Sequence, residues 1–437
     1  MLTELRERAE SALALARRAG AQDAFASAYR DRRVSVTVRD GSVEKLQESA
    51  GRGLSIQLYV DGRYASYRTN DLRRDPLARF LSDAVAMTRA LERDPFRRLP
   101  EAALYENRAS TELELADPAV SELSTEQRIE WCMALSRQCR HAQLISATAS
   151  VSDSHALVAS VSSNGFSGHH ERTNHWRGAS VTLQDEGDAR PAGSHYAGAR
   201  FVADVPAPAP IGDEAMRVAA RRLGAMQGPT QRATMVVEPR VAGRLLSLLI
   251  GPANAAAFSQ QRSFWMGREG ERVVSERLTL RDEPLRVRGL GSRYYDGEGI
   301  SARTLPIIEA GALSNLFVDS YYGRKIERTP TTGSSSNLVV APGRRDLAAI
   351  LEDVGEGVMI TGWLGGNSDA TTGDFSLGAR GHRIENGQPG AAIQEMNVTG
   401  NLLELFSHLQ EVGNDPWPYG SRLVPTLVFD GVQFSGA

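Results

Sequence analysis

The chain has 437 residues, 41% of them hydrophobic and 24% charged, which excludes collagen-like, disordered and membrane-embedded classes. No run approaches the roughly 18 consecutive apolar residues of a spanning helix. The net charge is −3 and every basic residue except Lys45 and Lys325 is an arginine; the arginines are dispersed, so the bias reads as GC-rich coding and surface solvation rather than a nucleic-acid or phosphate footprint.

In chain order, residues 1–20 carry charges throughout and lack the apolar core of a signal peptide. They predict an amphipathic helix over 3–18, and the expected compartment is the cytoplasm. Strands follow at 33–39, 42–48, 54–60 and 63–67, the first with Val34, Val36 and Val38 in period two. Asp40-Gly41 and Asp61-Gly62 read as hairpin turns, because both dipeptides tolerate positive φ. A helix is predicted over 76–92. Ser124 and Gln127 then form a capping box for a helix over 125–140. Cys132 and Cys139 lie on that helix about 10 Å apart along its axis. That exceeds the roughly 7 Å limit for a disulfide, so they read as reduced core residues.

Further strands are predicted at 144–151, 155–162 and 168–183, with a turn at Asn164-Gly165, and a helix over 211–223. The alternating prolines at 206–210 favour an extended connector. Beyond 231 strands dominate, at 305–309, 338–340, 358–361, 374–377, 382–384, 427–429 and 432–434. Helices there are predicted over 239–249, 346–353 and 401–412. The fold expected is α+β in two domains. The N-terminal domain, 1–209, mixes helices with antiparallel sheet in sub-units of about 1–95 and 112–209. Residues 210–230 are a connecting helix and linker. Residues 231–437 form a β-rich, barrel-like domain with packed helices.

The most tempting chemical motif is His170-Glu171 followed by His175, the letters of a zinc hydrolase. The segment reads as a strand, however, where positions five apart face opposite sides about 16 Å from each other. No nucleophile elbow, P-loop or full dinucleotide fingerprint is present. Three acidic, glycine-rich loops remain, around 295–299, 365–376 and 413–415. Such loops either line a groove or form tight turns capped by Asp and Asn.

The order and spacing of these loops resemble the TldD/PmbA family, also called modulators of DNA gyrase. The matching stretches are Asp-Gly-Glu-Gly at 296–299, Thr-Gly-Asp-Phe-Ser-Leu-Gly at 372–378, Ile-Glu-Asn-Gly at 384–387, Gly-Asn-Leu at 400–402, Val-Gly-Asn-Asp at 412–415 and Phe-Ser-Gly at 434–436. Towards the N-terminus, 36–41 and 163–166 also fit, so the resemblance covers nearly the whole chain. TldD-like members of this family carry His-Glu-x-x-x-His on a C-domain helix, with a late Cys, as a zinc site. An ungapped match through 238–258 places those three positions at Ser247, Leu248 and Pro252, and 413–425 holds no Cys. The chain therefore resembles the PmbA (TldE)-like branch.

The resemblance implies a non-catalytic, metal-free subunit that completes a peptidase whose zinc sits in a TldD-like partner. The complex would degrade or mature unfolded peptides. Asn367, Thr372, Asp374, Phe375 and Ser376 are the peptide-groove candidates; no catalytic or metal-binding residue is expected in this chain, nor any nucleic-acid or membrane partner. Asp296 and Glu298 are equally readable as turn residues. The alternatives are a stand-alone or homodimeric peptide-binding protein, or a metal-dependent hydrolase using His170, Glu171 and His175. The charge balance gives no support to direct modulation of DNA.

Overall fold

The computed structural model describes residues 1–436. Helix α1 (Leu2–Arg18) leads into β1 (Asp23–Arg39), β2 (Ser42–Val60) and β3 (Arg63–Thr69), followed by α2 (Arg74–Arg89). Asp40 and Gly41 at the first hairpin and Asp61 and Gly62 at the second all have positive φ, as a turn matched to strand twist requires. After α3 (Pro118–Glu122) and α4 (Thr125–Gln138) come β4 (Leu144–Ser162), β5 (Ser167–Leu183), β6 (Ala192–Ala199) and α5 (Pro208–Ala220). The six strands form one antiparallel sheet in the order β3-β2-β1-β4-β5-β6.

Alternation explains how this sheet is covered. Ala24, Ala26, Ala28, Val34, Val36 and Val38 of β1 are all buried on one face. Leu5, Ala9, Ala12 and Ala16 of α1 pack over the first three, with α2 beside them, and α4 and α5 cover Val36 and Val38. In this sheet two pairs of predicted strands are single long ones, β2 and β4, and β1 begins well before 33; the pairs predicted at 374–384 and 427–434 are likewise single strands. The cause is composition: the edges of these strands are built from Ala, Ser, Gly and charged residues, which carry little intrinsic strand preference. The prolines at 206–210 do not make an extended connector. Pro208 and Pro210 instead occupy the first turn of α5, where their missing N–H groups have no helical partner to lose. Cys132 and Cys139 are buried and unpaired.

The C-terminal half begins with β7 (Met226–Gln227), β8 (Gln231–Val237), α6 (Pro239–Ile250) and α7 (Ala255–Ser259). A small sheet follows from β9 (Leu280–Asp282), β10 (Leu305–Glu309), β11 (Ala312–Leu313) and, after α8 (Ser320–Lys325), β12 (Leu338–Val340). Then come α9 (Leu347–Val354), β13 (Gly357–Ser368), β14 (Asp374–Glu385), β15 (Gln388–Asn401), α10 (Leu402–Ser407), β16 (Leu409–Val412), β17 (Arg422–Leu423) and β18 (Leu427–Ser435). Strands β18, β8, β13, β14 and β15 are neighbours in that order, and β15 pairs back to β18 through Asn397 and Ser435. This closes a five-stranded barrel. Met235, Val237, Val358, Ile360, Leu377 and Phe429 belong to the large core it shares with α6, while Val236, Met359 and Val428 point to the other side, onto Ile350 and Leu351 of α9.

The helix predicted over 401–412 is two elements, α10 and β16. Leu402, Leu403, Leu405 and Phe406 keep the helix on the core, and Leu409 and Val412 are drawn into pairing with Phe429 and Leu427. The apolar spacing suits both shapes, and tertiary pairing decides between them.

Candidate functional site

Helix α6 begins at Pro239, a residue preorganised for a first turn. Its stripe of Ala242, Leu245, Leu246 and Leu249 is fully buried, which turns Gly243, Arg244 and Ser247 outward. That outward side is one wall of a cleft of about 780 Å³ between the two halves of the chain. The facing wall comprises Gly362 and Trp363 of β13, Arg380 of β14 and the segment 417–422; Ser194 of β6 and Arg222, just past α5, reach in from the N-terminal sheet.

Of the positions that the resemblance assigns to the zinc site, only Ser247 lines this wall. The Ser247 hydroxyl donates to the Gly243 carbonyl at 2.7 Å within its own helix. Leu248 packs against the apolar core and Pro252 is buried. A hydroxyl already engaged, an isobutyl group and a pyrrolidine ring do not fit zinc, which takes thiolate, imidazole or carboxylate. Among the described residues, no group of three or more His, Cys, Asp or Glu is arranged to hold a metal ion.

What the cleft holds instead is arginine. Arg222, Arg240, Arg244, Arg380 and Arg422 line it, and among the described residues no aspartate or glutamate does. The adjoining Glu238 pairs with Arg240 at 2.8 Å, and Arg240 also donates to the Ser194 carbonyl. Burial pushes the Glu238 carboxyl up, and Arg240 opposes that shift. Among the described residues, the other four arginines have no carboxylate within ion-pair reach. Burial, with Arg380 and Arg240 close by, brings Arg222 down to about 10, and Arg380 is lowered by burial and by Arg240. The Nε of Arg380 is buried without a hydrogen-bond partner. Aromatic rings complete the rim: Trp417 lies edge-on to His195 at 5.6 Å and to Tyr419 at 5.1 Å. The Trp363 indole donates to the Val241 carbonyl at 3.1 Å.

Strand β13 outruns one of its neighbours. It pairs with β8 only over Val358–Ile360, but continues along β14 as far as Ser368. From Thr361 onward its other edge is therefore unpaired, and the cleft lies along the start of that edge. Two bulges bend it there. Gly366, at φ +109°, is obligatory at the second bend, since a Cβ would sit 2.1 Å from the Ser376 carbonyl oxygen.

The groove candidates gather at the far end of the same hairpin. Asn367 is the cross-strand partner of Ser376. The Thr372 hydroxyl donates to Asp374 at 2.9 Å, and Asn401 donates to the other Asp374 oxygen at 3.0 Å. Phe375 is buried. Asn367, Asp374, Phe375 and Ser376 border a shallow depression of about 620 Å³ together with Arg262.

Asp296 is a turn residue: its Oδ1 accepts from the N–H groups of Glu298 and Ile300, and its Oδ2 from that of Gly333. Glu298 accepts from the backbone N–H of Ser320 at 2.8 Å and from the Ser320 hydroxyl. Burial pushes the Glu298 carboxyl up although both Ser320 bonds oppose it. The loop also joins the two halves, with Tyr295 edge-on to Phe166 at 5.0 Å. His170, Glu171 and His175 are not brought together. His170 faces the Tyr295 hydroxyl, Glu171 pairs with His155 at 2.6 Å, and the His175 Nε2 accepts from Arg177. Burial holds His170 down at about 4 and His175 at about 3, so both are neutral.

The cleft arginines are what sequence reading missed. They come from separate segments of the chain, and each looks like one more dispersed surface arginine. The available signal was Trp363 and Trp417, large aromatics beside glycine and proline in loop-like sequence.

Family models match three consecutive regions, described as PmbA/TldA metallopeptidase domain 1 over 24–88, the central domain over 118–223 and the C-terminal domain over 230–436. A solved structure from Bacteroides thetaiotaomicron, described as a modulator of DNA gyrase, is 36% identical and superposes with a TM-score of 0.97 over 99% of both chains. The chain belongs to the PmbA/TldD family. It is 27% identical to the metalloprotease PmbA of Escherichia coli O157:H7, across 87% of this chain and 85% of that one. TldE of Thermococcus kodakarensis shares the fold, with a TM-score of 0.86 at 18% identity over 98% of this chain and all of that one (100%).

Proposed function

We propose that this chain is the metal-free, non-catalytic, TldE-like subunit of a cytoplasmic zinc peptidase, whose zinc is carried by a TldD-like partner. The observation that carries the reading is the chemistry of two side chains on α6 and one just beyond it. Ser247, Leu248 and Pro252 stand where the catalytic branch would place its ligands and base, and their chemistry does not suit a metal. Hydrolysis in the partner would have zinc polarise the scissile carbonyl and activate water. This chain would contribute groove walls. The unpaired edge of β13, running from the cleft to Asn367, offers main-chain hydrogen bonds to an extended, unfolded peptide, which suits degradation or maturation of many sequences. Asn367, Thr372, Asp374, Phe375 and Ser376 would shape the far end of that track.

The test is metal content and peptidase activity of the purified chain, alone and mixed with the TldD-like protein of the same genome. The expected result is no stoichiometric zinc and no activity alone, with activity on mixing. Stoichiometric zinc with activity alone would overturn the reading. Formation of a homodimer that binds peptide but never activates the partner would favour a stand-alone binding protein.

A further inference from the structure

We propose that the cleft beside α6 selects acidic peptide segments, laid along the open edge of β13 among Arg244, Arg380 and Arg422. The proposal rests on the peptide-handling reading for the nature of the occupant, but it needs neither partner nor zinc.

Charge is the first argument. Five arginines converge on one cavity with no acidic residue on its lining, in a chain whose net charge is −3. The adjoining Glu238 forms its ion pair with Arg240 and also acts on Arg222, leaving Arg244, Arg380 and Arg422 without a paired carboxylate among the described residues. Clustering like charges is unfavourable unless a counter-charge arrives, and low-dielectric walls focus the resulting field. Arg380 reaches the cleft from β14 with its Nε packed against Gly362. Arg422 is fixed beside α6, its side chain lying against Gly243, where a Cβ would stand 3.7 Å away.

Shape is the second argument, and it favours a peptide over a free phosphate. The β13 edge past Ile360 runs along the cleft without a neighbouring strand, which leaves main-chain N–H and C=O groups open on either side of its bulges. A peptide main chain answers both, whereas a phosphate can answer only the donors. Side chains of an added strand alternate between the two faces of the sheet, so successive acidic residues would meet different arginines. A basic peptide would bring like charges together, which supplies discrimination as well as attraction.

The experiment uses the purified full chain without any partner. Fluorescence anisotropy is read with a labelled peptide alternating glutamate and serine, with its glutamine counterpart, and with tripolyphosphate as competitor. The acidic peptide should bind at least about tenfold more tightly than the glutamine one, with affinity falling as salt rises. Arg244→Glu with Arg422→Glu, both at exposed positions, should abolish that preference without altering the circular dichroism. Arg380→Gln should weaken binding, and Arg244→Lys with Arg422→Lys should largely retain it. Equal affinity for the two peptides, or a preference untouched by charge reversal, would overturn the proposal. So would tripolyphosphate binding with no peptide binding, which would mark a simple anion site. Acidic-peptide binding by a chain that never activates its TldD-like partner would defeat the subunit reading and leave this one standing. Activation without any charge preference would do the reverse.

Discussion

Arg128 on α4 and Asp153 on β4 face each other through two hydrogen bonds, 2.6 Å from Nε to Oδ2 and 2.8 Å from Nη2 to Oδ1, with side chains only 1% and 4% exposed. The third guanidinium branch donates to the Leu123 carbonyl, which fixes the start of α4 as well. Helix α4 in turn supports α5, the helix that leads to Arg222 at the cleft. Removing one member of such a pair strands the other as a buried, unpaired charge. Asp153→Ala should therefore cost about 3–5 kcal/mol in urea unfolding. Replacing both residues with apolar ones of similar volume should cost much less. Equal losses in the single and double variants would show that packing, not the stranded charge, sets the penalty.

Glu298 makes a pH prediction. Its folded carboxyl is raised by burial, so between its unfolded value, about 4.3, and the higher folded one the native state binds more protons. Stability contributed by this group therefore falls as pH rises through that window. Glu298→Gln removes the titration while keeping an acceptor for Ser320. The stability difference, variant minus parent, should shift in favour of the variant as pH rises from 4 to 8, measured by denaturant melts at each pH. A flat difference would mean the carboxyl titrates normally.

The two thiols should be silent in the folded protein. Burial pushes Cys132 up to about 12 and Cys139 up to about 11, and both side chains are enclosed. At neutral pH almost no thiolate exists to react. A thiol-disulfide reagent should titrate neither cysteine natively and both in denaturant. Rapid native labelling of Cys132 would show that α4 opens.

His170→Gln and His175→Gln together should leave metal content and the activity of the mixed subunits unchanged. The two rings lie on opposite faces of β5 with separate partners, Tyr295 and Arg177. Loss of metal from the assembled pair in this variant would return the strand motif to consideration.

How far the sequence could be read depended on which scale set each feature. Hairpin turns were legible because Asp40-Gly41 and Asp61-Gly62 carry their conformation in two residues. The capping box at Ser124 was legible for the same reason, and both of its bonds form. The α+β class and the barrel-like C-terminal half were also legible, in part through family resemblance. Closure was not: it depends on Asn397 meeting Ser435 and Val398 meeting Phe434, contacts that no local pattern announces. Strand β6 escaped notice because Ala-Gly-Ser-His-Tyr-Ala-Gly-Ala has little strand preference and forms by pairing with β5. The cleft was hidden by the same non-locality. Arg222, Arg244, Arg380 and Arg422 converge only once α5, α6, β14 and β17 have been placed.

The position of β1 at the middle of its sheet governs the order in which the protein can be made. One edge of β1 meets β2 straight after a tight turn, but the other waits for β4, starting at Leu144. A nascent chain emerging from the ribosome must expose that edge until 144–162 has been translated. In the interval the valines at 36 and 38 lack α4 as well, so the young hairpin presents both a bare ladder and an apolar face. The exposed half of β2 meanwhile carries Glu44, Lys45 and Glu48, charges that discourage another chain from pairing there. A centrally placed first strand thus makes translation speed between 40 and 144 a determinant of yield, and places chaperone demand early in synthesis rather than at its end.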